Sequence, residues 1–261
     1  MTLIDAKLKR YKMTFESQLS QYWADFVDCN RRLRTECSFL TKTLNKYRNG
    51  TLLDAAMGTG CESIYLLKSG YNVISNEIDQ GLIGVARQHA ENENVILKIS
   101  SVDWLNFSSY YENASIDCII LFGNSLCLLE ERSIIENVLH QFYNTLVPGG
   151  LLLVDERNFD YILKCKTNIL KGNFRYSGKY IYCGKSVIAK PIKISNNNVS
   201  FGYYHIDRGL VGQLDMYPFK YQELKSILEI VGFKTPQIFS DFKVGRNETA
   251  DFFTYLAEKP K

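Results

Sequence analysis

Apolar positions recur along the chain in two alternating periods. Residues 51–56 (TLLDAA) are a short apolar run that breaks at Gly58-Thr-Gly60; 61–68 then takes helical spacing and stops at Gly70. This pattern predicts strand, glycine turn and helix. Residues 71–75 predict a second strand, 80–91 a second helix and 95–100 a third strand. Runs 117–122 (DCIILF) and 150–155 (GLLLVD) are apolar on both faces, as buried parallel strands are, and 130–146 between them is an amphipathic helix ended by Pro148-Gly-Gly. Alternating strands and helices imply βαβ units, so 51–155 reads as a doubly wound α/β unit with a parallel sheet.

The pattern changes at about residue 164. From there to 215, Tyr, Ile and Val runs are broken by Gly178, Gly184, Asn196-Asn-Asn198 and Gly209, which predicts short antiparallel strands forming a small lid. Helical period resumes at 221–231, and 250–257 closes the chain as a last strand. Residues 1–48 are helical and amphipathic. The expected organisation is an N-terminal helical arm or cap (1–48), a nucleotide-binding sheet domain (49–163 and 219–261) and an antiparallel lid (164–218).

Composition narrows the class. With 46% hydrophobic and 23% charged residues the chain has ample core material, and a net charge of +3 gives little attraction for a polyanion. No apolar run approaches the roughly 20 residues of a bilayer span, and MTLIDAKLKRYK has no signal-peptide core. The expectation is a soluble, cytoplasmic protein without membrane or nucleic-acid partners. Its seven cysteines lack C-x-x-C spacing and its three histidines lack a ligand motif, so reduced thiols and no metal site are expected.

The chemistry concentrates at Asp54-Ala-Ala-Met-Gly58-Thr-Gly60, which follows a strand and opens a helix. The third glycine of a dinucleotide fingerprint would fall on Ser63, which counts against NAD or FAD. Glu77, at the end of the second strand, is placed to accept both hydroxyls of a ribose. A glycine turn without a phosphate cradle, plus a ribose-binding acid, suits a nucleoside without phosphates, of which S-adenosylmethionine is the common one. The plainer alternative is a tight turn and a solvated acid. After the third strand, Asp103-Trp104 puts a polar acceptor and a flat ring where an adenine would lie.

Strands four and five end in Phe122-Gly-Asn124-Ser125 and Asp155-Glu-Arg157-Asn158. Open sheets bind ligands at these carboxyl ends, and an Arg fork with an Asn aligner suits a small carboxylate. On local sequence alone, Arg157 equally suits an ion pair with Asp155, Glu156 or Asp160, and Asn124 a turn. The Asx/Ser-Pro-Pro-aromatic motif of adenine-specific nucleic-acid methyltransferases is absent here, since no proline precedes Pro148.

These residues, with Tyr217-Pro218 and Ser240-Asp-Phe-Lys243, resemble the glycine N-methyltransferase family and its glycine/sarcosine relatives, class I S-adenosylmethionine-dependent enzymes. The resemblance runs from about Tyr22 to the C-terminus. It implies a Rossmann-like, mostly parallel sheet with its last strand antiparallel, an N-terminal helical segment, and a small antiparallel lid inserted after the fifth strand. It implies that Trp23, Arg34, Asp54, Ala56, Gly58, Gly60, Glu77, Asp103, Trp104, Phe122 and Ser125 surround the cofactor, with Arg34 meeting its methionyl carboxylate. Asn124 and Arg157 would hold a substrate carboxylate, and Tyr182 and Tyr217 would line the methyl-transfer site.

The sequence departs from the family in places: Glu156 stands where His is common, Phe26 replaces a tyrosine, and the lid's paired tyrosines become Tyr182-Cys183. Three readings remain open at this level. One is N-methylation of glycine or sarcosine, as in betaine synthesis or methyl-group balance. Another is methylation of a different small amine, and the last is a non-catalytic regulatory or folate-binding module. Residues 1–20 are either an arm reaching a neighbouring subunit of a homo-oligomer, as the family's tetramers imply, or a frayed helix.

Overall fold

The computed structural model describes residues 17–174, 184 and 186–261. Residues 1–16 of the arm expected at 1–20, and Tyr182 with Cys183 in the lid, lie outside the described residues. Helices α1 (Ser17–Phe26) and α2 (Cys29–Leu44) open the described chain. Asp28 caps α2 by accepting the Arg31 N–H at 3.0 Å. Buried Arg32, Glu36, Phe39, Leu40 and Leu44 recur on one face of that helix, so it packs by a single stripe.

A βα series follows: β1 (Thr51–Asp54), α3 (Cys61–Lys68), β2 (Asn72–Asn76), α4 (Gln80–Asn92), β3 (Ile99–Ser100), α5 (Phe107–Tyr110), β4 (Ile116–Leu121), α6 (Arg132–Thr145) and β5 (Leu146–Arg157). Short helices α7 (Phe159–Lys164) and α8 (Lys166–Leu170) lead to the strands β6 (Val187–Ile194), β7 (Val199–His205) and β8 (Gly209–Met216). The chain then returns through α9 (Glu223–Val231), β9 (Gln237–Ser240), β10 (Lys243–Val244) and β11 (Phe252–Glu258).

The main sheet has the order β10-β9-β11-β5-β4-β1-β2-β3. Strands β3, β2, β1, β4 and β5 are parallel, while β11 runs antiparallel to both β5 and β9. The fold is thus α/β and Rossmann-like, with a separate antiparallel sheet β6-β7-β8 between β5 and α9. Period-two alternation divides each central strand between two cores. Leu53, Ile119, Leu121, Leu152 and Val154 face one; Leu52, Cys118, Ile120, Leu151 and Leu153 face the other with Phe39, Leu40 and Leu44 of α2.

Several boundaries differ from the sequence expectation. Strand β5 begins at Leu146 and runs through Pro148-Gly-Gly, with an irregular register beside Ile116 and Cys118 and Gly149 at φ +78°. Glycine's freedom at positive φ lets the strand bulge there instead of starting after the turn. The predicted third strand shrinks to two residues. The segment 164–170 is helical, not the start of lid strands, and β9 and β10 had no apolar run long enough to announce them.

Candidate active site

A cleft opens across the carboxyl ends of β1, β2, β4 and β5, where parallel strands direct their loops to one edge. Trp23, Ala56, Gly58, Glu77, Asp103, Trp104, Phe122, Asn124, Ser125 and Arg157 all line it. Helix α1 covers it with Trp23 and Phe26, and the small sheet with Tyr203, Leu214 and Met216.

The turn after β1 is built from its glycines. Gly60 sits at φ +86°, and a Cβ there would come within 3.2 Å of Ile64 Cδ1 and 3.3 Å of Ala86. Gly58 donates its N–H to Glu77 Oε2 at 2.9 Å, while Glu77 Oε1 accepts from the Ile78 and Asp79 amides at 2.8 and 3.0 Å. The acid that the sequence marked as a ribose acceptor therefore also shapes the turn. Burial raises its pKa above the usual carboxylate value against the lowering effect of these amides. Ser63, at the missing third glycine, is fully buried and donates to Asp54 Oδ2 at 2.6 Å. Burial pushes the Asp54 carboxyl up to about 7. Asp54 and Gly60 thus stand behind the turn and do not line the cleft.

Trp104 is buried and fastened: its Nε1–H donates to the Ala55 carbonyl at 2.8 Å. Beside it, Asp103 accepts from the Leu105 amide at 3.0 Å. With Val102 they form a flat wall carrying one carboxylate, a surface suited to a purine.

At the other end, Arg157 is buried, its guanidinium 4.5 Å from the Phe201 ring centre and 4.8 Å from that of Phe252. Asn124 Oδ1 accepts the Arg157 backbone N–H at 2.8 Å, and Asp155 accepts the Gly123 and Asn124 amides at 3.2 and 2.7 Å. Asn124 is at φ +61°, a conformation that Asn tolerates better than most side chains, as the turn reading expected, and its side chain is directed to the Arg157 backbone. Glu156 points to the other face of β5. Burial drives its pKa up to about 8, and it accepts a hydrogen bond from Tyr255.

Besides Asp54 and Gly60, three expected site residues are placed elsewhere or not described. Arg34 is exposed and outside the cleft; Arg32 lines it instead. Two helical residues span about 200°, so the pair cannot share a face. Arg32 Nε lies 3.0 Å from Glu36 Oε1 and 2.6 Å from Glu62 Oε1. Its i, i+4 spacing to Glu36 was the signal available for choosing it. Tyr217 does not line the cleft either: its hydroxyl donates to Glu223 at 2.5 Å, with Arg132 3.7 Å from that carboxylate. Tyr182 lies outside the described residues. Tyr203, which the sequence did not single out, is buried against Trp23 and Phe26 at 5.6 and 5.0 Å and does line the cleft.

The expectation of reduced thiols also fails at one pair. Cys29 and Cys61 form a disulfide with Cα atoms 5.5 Å apart. Their separation of 32 residues hides the pairing from any short-spacing motif. No group of three His, Cys, Asp or Glu among the described residues is placed to hold a metal ion. None of the described helices is long and apolar enough to cross a membrane.

Comparison with known proteins places this geometry in context. Residues 52–150 match a family model described as a methyltransferase domain. The chain is 31% identical to the glycine/sarcosine N-methyltransferase of Halorhodospira halochloris, over 91% of this chain and 85% of that protein. It is 29% identical to the enzyme of the same name from Parasynechococcus marenigrum, over 95% and 86%. Among solved structures it matches an S-adenosylmethionine-dependent methyltransferase from Clostridium acetobutylicum with a TM-score of 0.68 at 15% identity, covering 100% of both chains, a likeness of fold.

Proposed function

We propose that this chain, which belongs to the glycine/sarcosine N-methyltransferase family, transfers methyl groups from S-adenosylmethionine to the amine of glycine, of sarcosine or of both. The observation that carries the reading is the buried Arg157 guanidinium in the cleft, backed by Phe201 and Phe252 and held by Asn124 at its backbone. A buried fork of this kind matches the planar, two-oxygen geometry of a carboxylate.

The cleft fits the cofactor by its chemistry. Val102, Asp103 and Trp104 offer the adenine a flat wall and an acceptor, Glu77 takes the ribose, and Arg32 replaces Arg34 as partner for the methionyl carboxylate. When bound, S-adenosylmethionine supplies an electrophilic methyl group on a sulfonium. The transfer is a direct displacement, so the residues need only align the acceptor. Arg157 fixes the acceptor's carboxylate and, as a like charge, disfavours the ammonium form of its amine; the proton leaves to water. Trp23 and Tyr203, packed on each other, close the cleft against bulk solvent.

Incubation with S-adenosylmethionine and glycine, sarcosine or dimethylglycine, following S-adenosylhomocysteine, tests the assignment. Arg157→Ala is expected to raise the acceptor's KM steeply while S-adenosylhomocysteine affinity stays within about twofold. Absence of turnover with all three acceptors overturns the reading.

A further inference from the structure

Cys29 is the first residue of α2 and Cys61 the first of α3, directly after the Gly58-Thr-Gly60 turn. Their disulfide therefore joins the helical wall of the cleft to its glycine turn. Thr59 Oγ1 lies between them, 3.7 Å from the Cys29 sulfur and 3.5 Å from that of Cys61. One turn along α2, Arg32 reaches into the cleft and pairs with Glu62, the neighbour of Cys61. Further back, Trp23 Nε1 lies 3.9 Å from where a Cβ on Gly58 would stand. The bond thus lies beside Thr59, Arg32 and Trp23, all of which line the cleft.

We propose that Cys29 and Cys61 are a reversible thiol–disulfide site, in which the disulfide holds the α1–α2 wall against the glycine turn and strengthens cofactor binding. The proposal rests on reading the cleft as an S-adenosylmethionine site. Both sulfurs lie at helix N-termini, where the macrodipole favours the thiolate that exchange requires. Cys29 is half-buried and Cys61 is buried in the cleft lining. The order of attack follows from that exposure. The Cys29 thiolate attacks a low-molecular-weight disulfide, releasing one thiolate and leaving a mixed disulfide on Cys29. The Cys61 thiolate then attacks the Cys29 sulfur and expels the second. Two protein thiols are oxidised, one small disulfide is reduced to two thiols, and the two protons released by the protein end on those thiols. A small dithiol reverses the sequence.

The remaining described cysteines suit this chemistry less. Cys118 and Cys127 are buried, and that burial pushes their thiols up, away from thiolate. Cys37 and Cys165 are half-buried thiols outside any disulfide.

The test equilibrates the full chain with oxidised or reduced glutathione, counts alkylatable thiols by mass spectrometry, and titrates S-adenosylhomocysteine by calorimetry in each state. Oxidation is expected to remove two thiols, mapped to the peptides of Cys29 and Cys61, and to tighten S-adenosylhomocysteine at least about fivefold. Linkage demands the reciprocal: bound S-adenosylhomocysteine shifts the pair's thiol–disulfide equilibrium toward the disulfide by the same factor. Cys29→Ser abolishes the response, whereas Cys37→Ser retains it; if the former does not fold, the wild-type comparison decides alone. Failure of the pair to oxidise, or equal affinity in both states, overturns the proposal. No binding in either state, with the disulfide formed, removes the cofactor reading as well.

Discussion

Asn124 and Arg157 are joined across neighbouring strand ends: the Asn124 side-chain oxygen accepts the Arg157 backbone N–H at 2.8 Å, while its own N–H donates to Asp155 at 2.7 Å. The end of β4 is thereby fastened to the end of β5 at the residue read as the carboxylate binder. Asn124→Ala removes the acceptor for a buried amide and puts Ala at φ +61°. The expected loss is about 1–3 kcal/mol of stability, together with a raised KM for the acceptor. Urea unfolding and steady-state kinetics check both; an unchanged KM separates Asn124 from acceptor positioning.

The two arginines of α2 make opposite predictions. Arg32→Ala is expected to weaken S-adenosylhomocysteine about tenfold or more, the scale of a lost hydrogen bond between charged groups. Arg34→Ala, on the exposed face, is expected to change it less than about twofold. Because Arg32→Ala also strips a counter-ion from buried Glu36 and Glu62, thermal unfolding is measured beside calorimetry, and Arg32→Lys restores charge without the fork.

Glu156 predicts a pH dependence of stability. Its native carboxyl is pushed up to about 8, first by burial, while Tyr255 and Arg246 pull it down and Asp160 and Glu223 raise it. A native pKa above the unfolded one means that the folded state binds a proton the unfolded chain gives up, so stability is lost as pH rises from the ordinary carboxylate range through about 8. Glu156→Gln cannot ionise and keeps an acceptor for the Tyr255 hydroxyl. Relative to wild type, the variant is expected to gain stability between pH 5 and pH 9, by an amount on the order of a few kcal/mol. Denaturant unfolding at both pH values reads it, and a difference that does not change with pH contradicts the assignment.

The periodic part of the fold was legible before any coordinates. Helix 61–68 and the runs around 117–122 and 150–155 were visible because a buried parallel strand must be apolar on both faces and a packed helix on one. The turn at Gly58 and Gly60 was equally plain, since positive φ and close approach leave a chemical mark on the sequence. Strand β9, which finds its place only by pairing with β11, left no such mark.

Ligand-facing loops were legible for a related reason: topology alone sends the carboxyl ends of the parallel strands β1 to β5 to one edge, so Gly58, Glu77, Asp103, Asn124 and Arg157 could be grouped from their positions in the chain. What needed the tertiary structure was any choice depending on how separate elements rotate and pack. The helical phase of α2 put Arg32 rather than Arg34 in the cleft. Pairing of β7 with β8 brought in Tyr203, while Tyr217 turned toward Glu223. Approach of α2 to α3 joined two cysteines 32 residues apart. Local sequence encodes which face of an element is buried; the neighbour that this face meets is set by side-chain packing across distant segments, and that packing has no period to read.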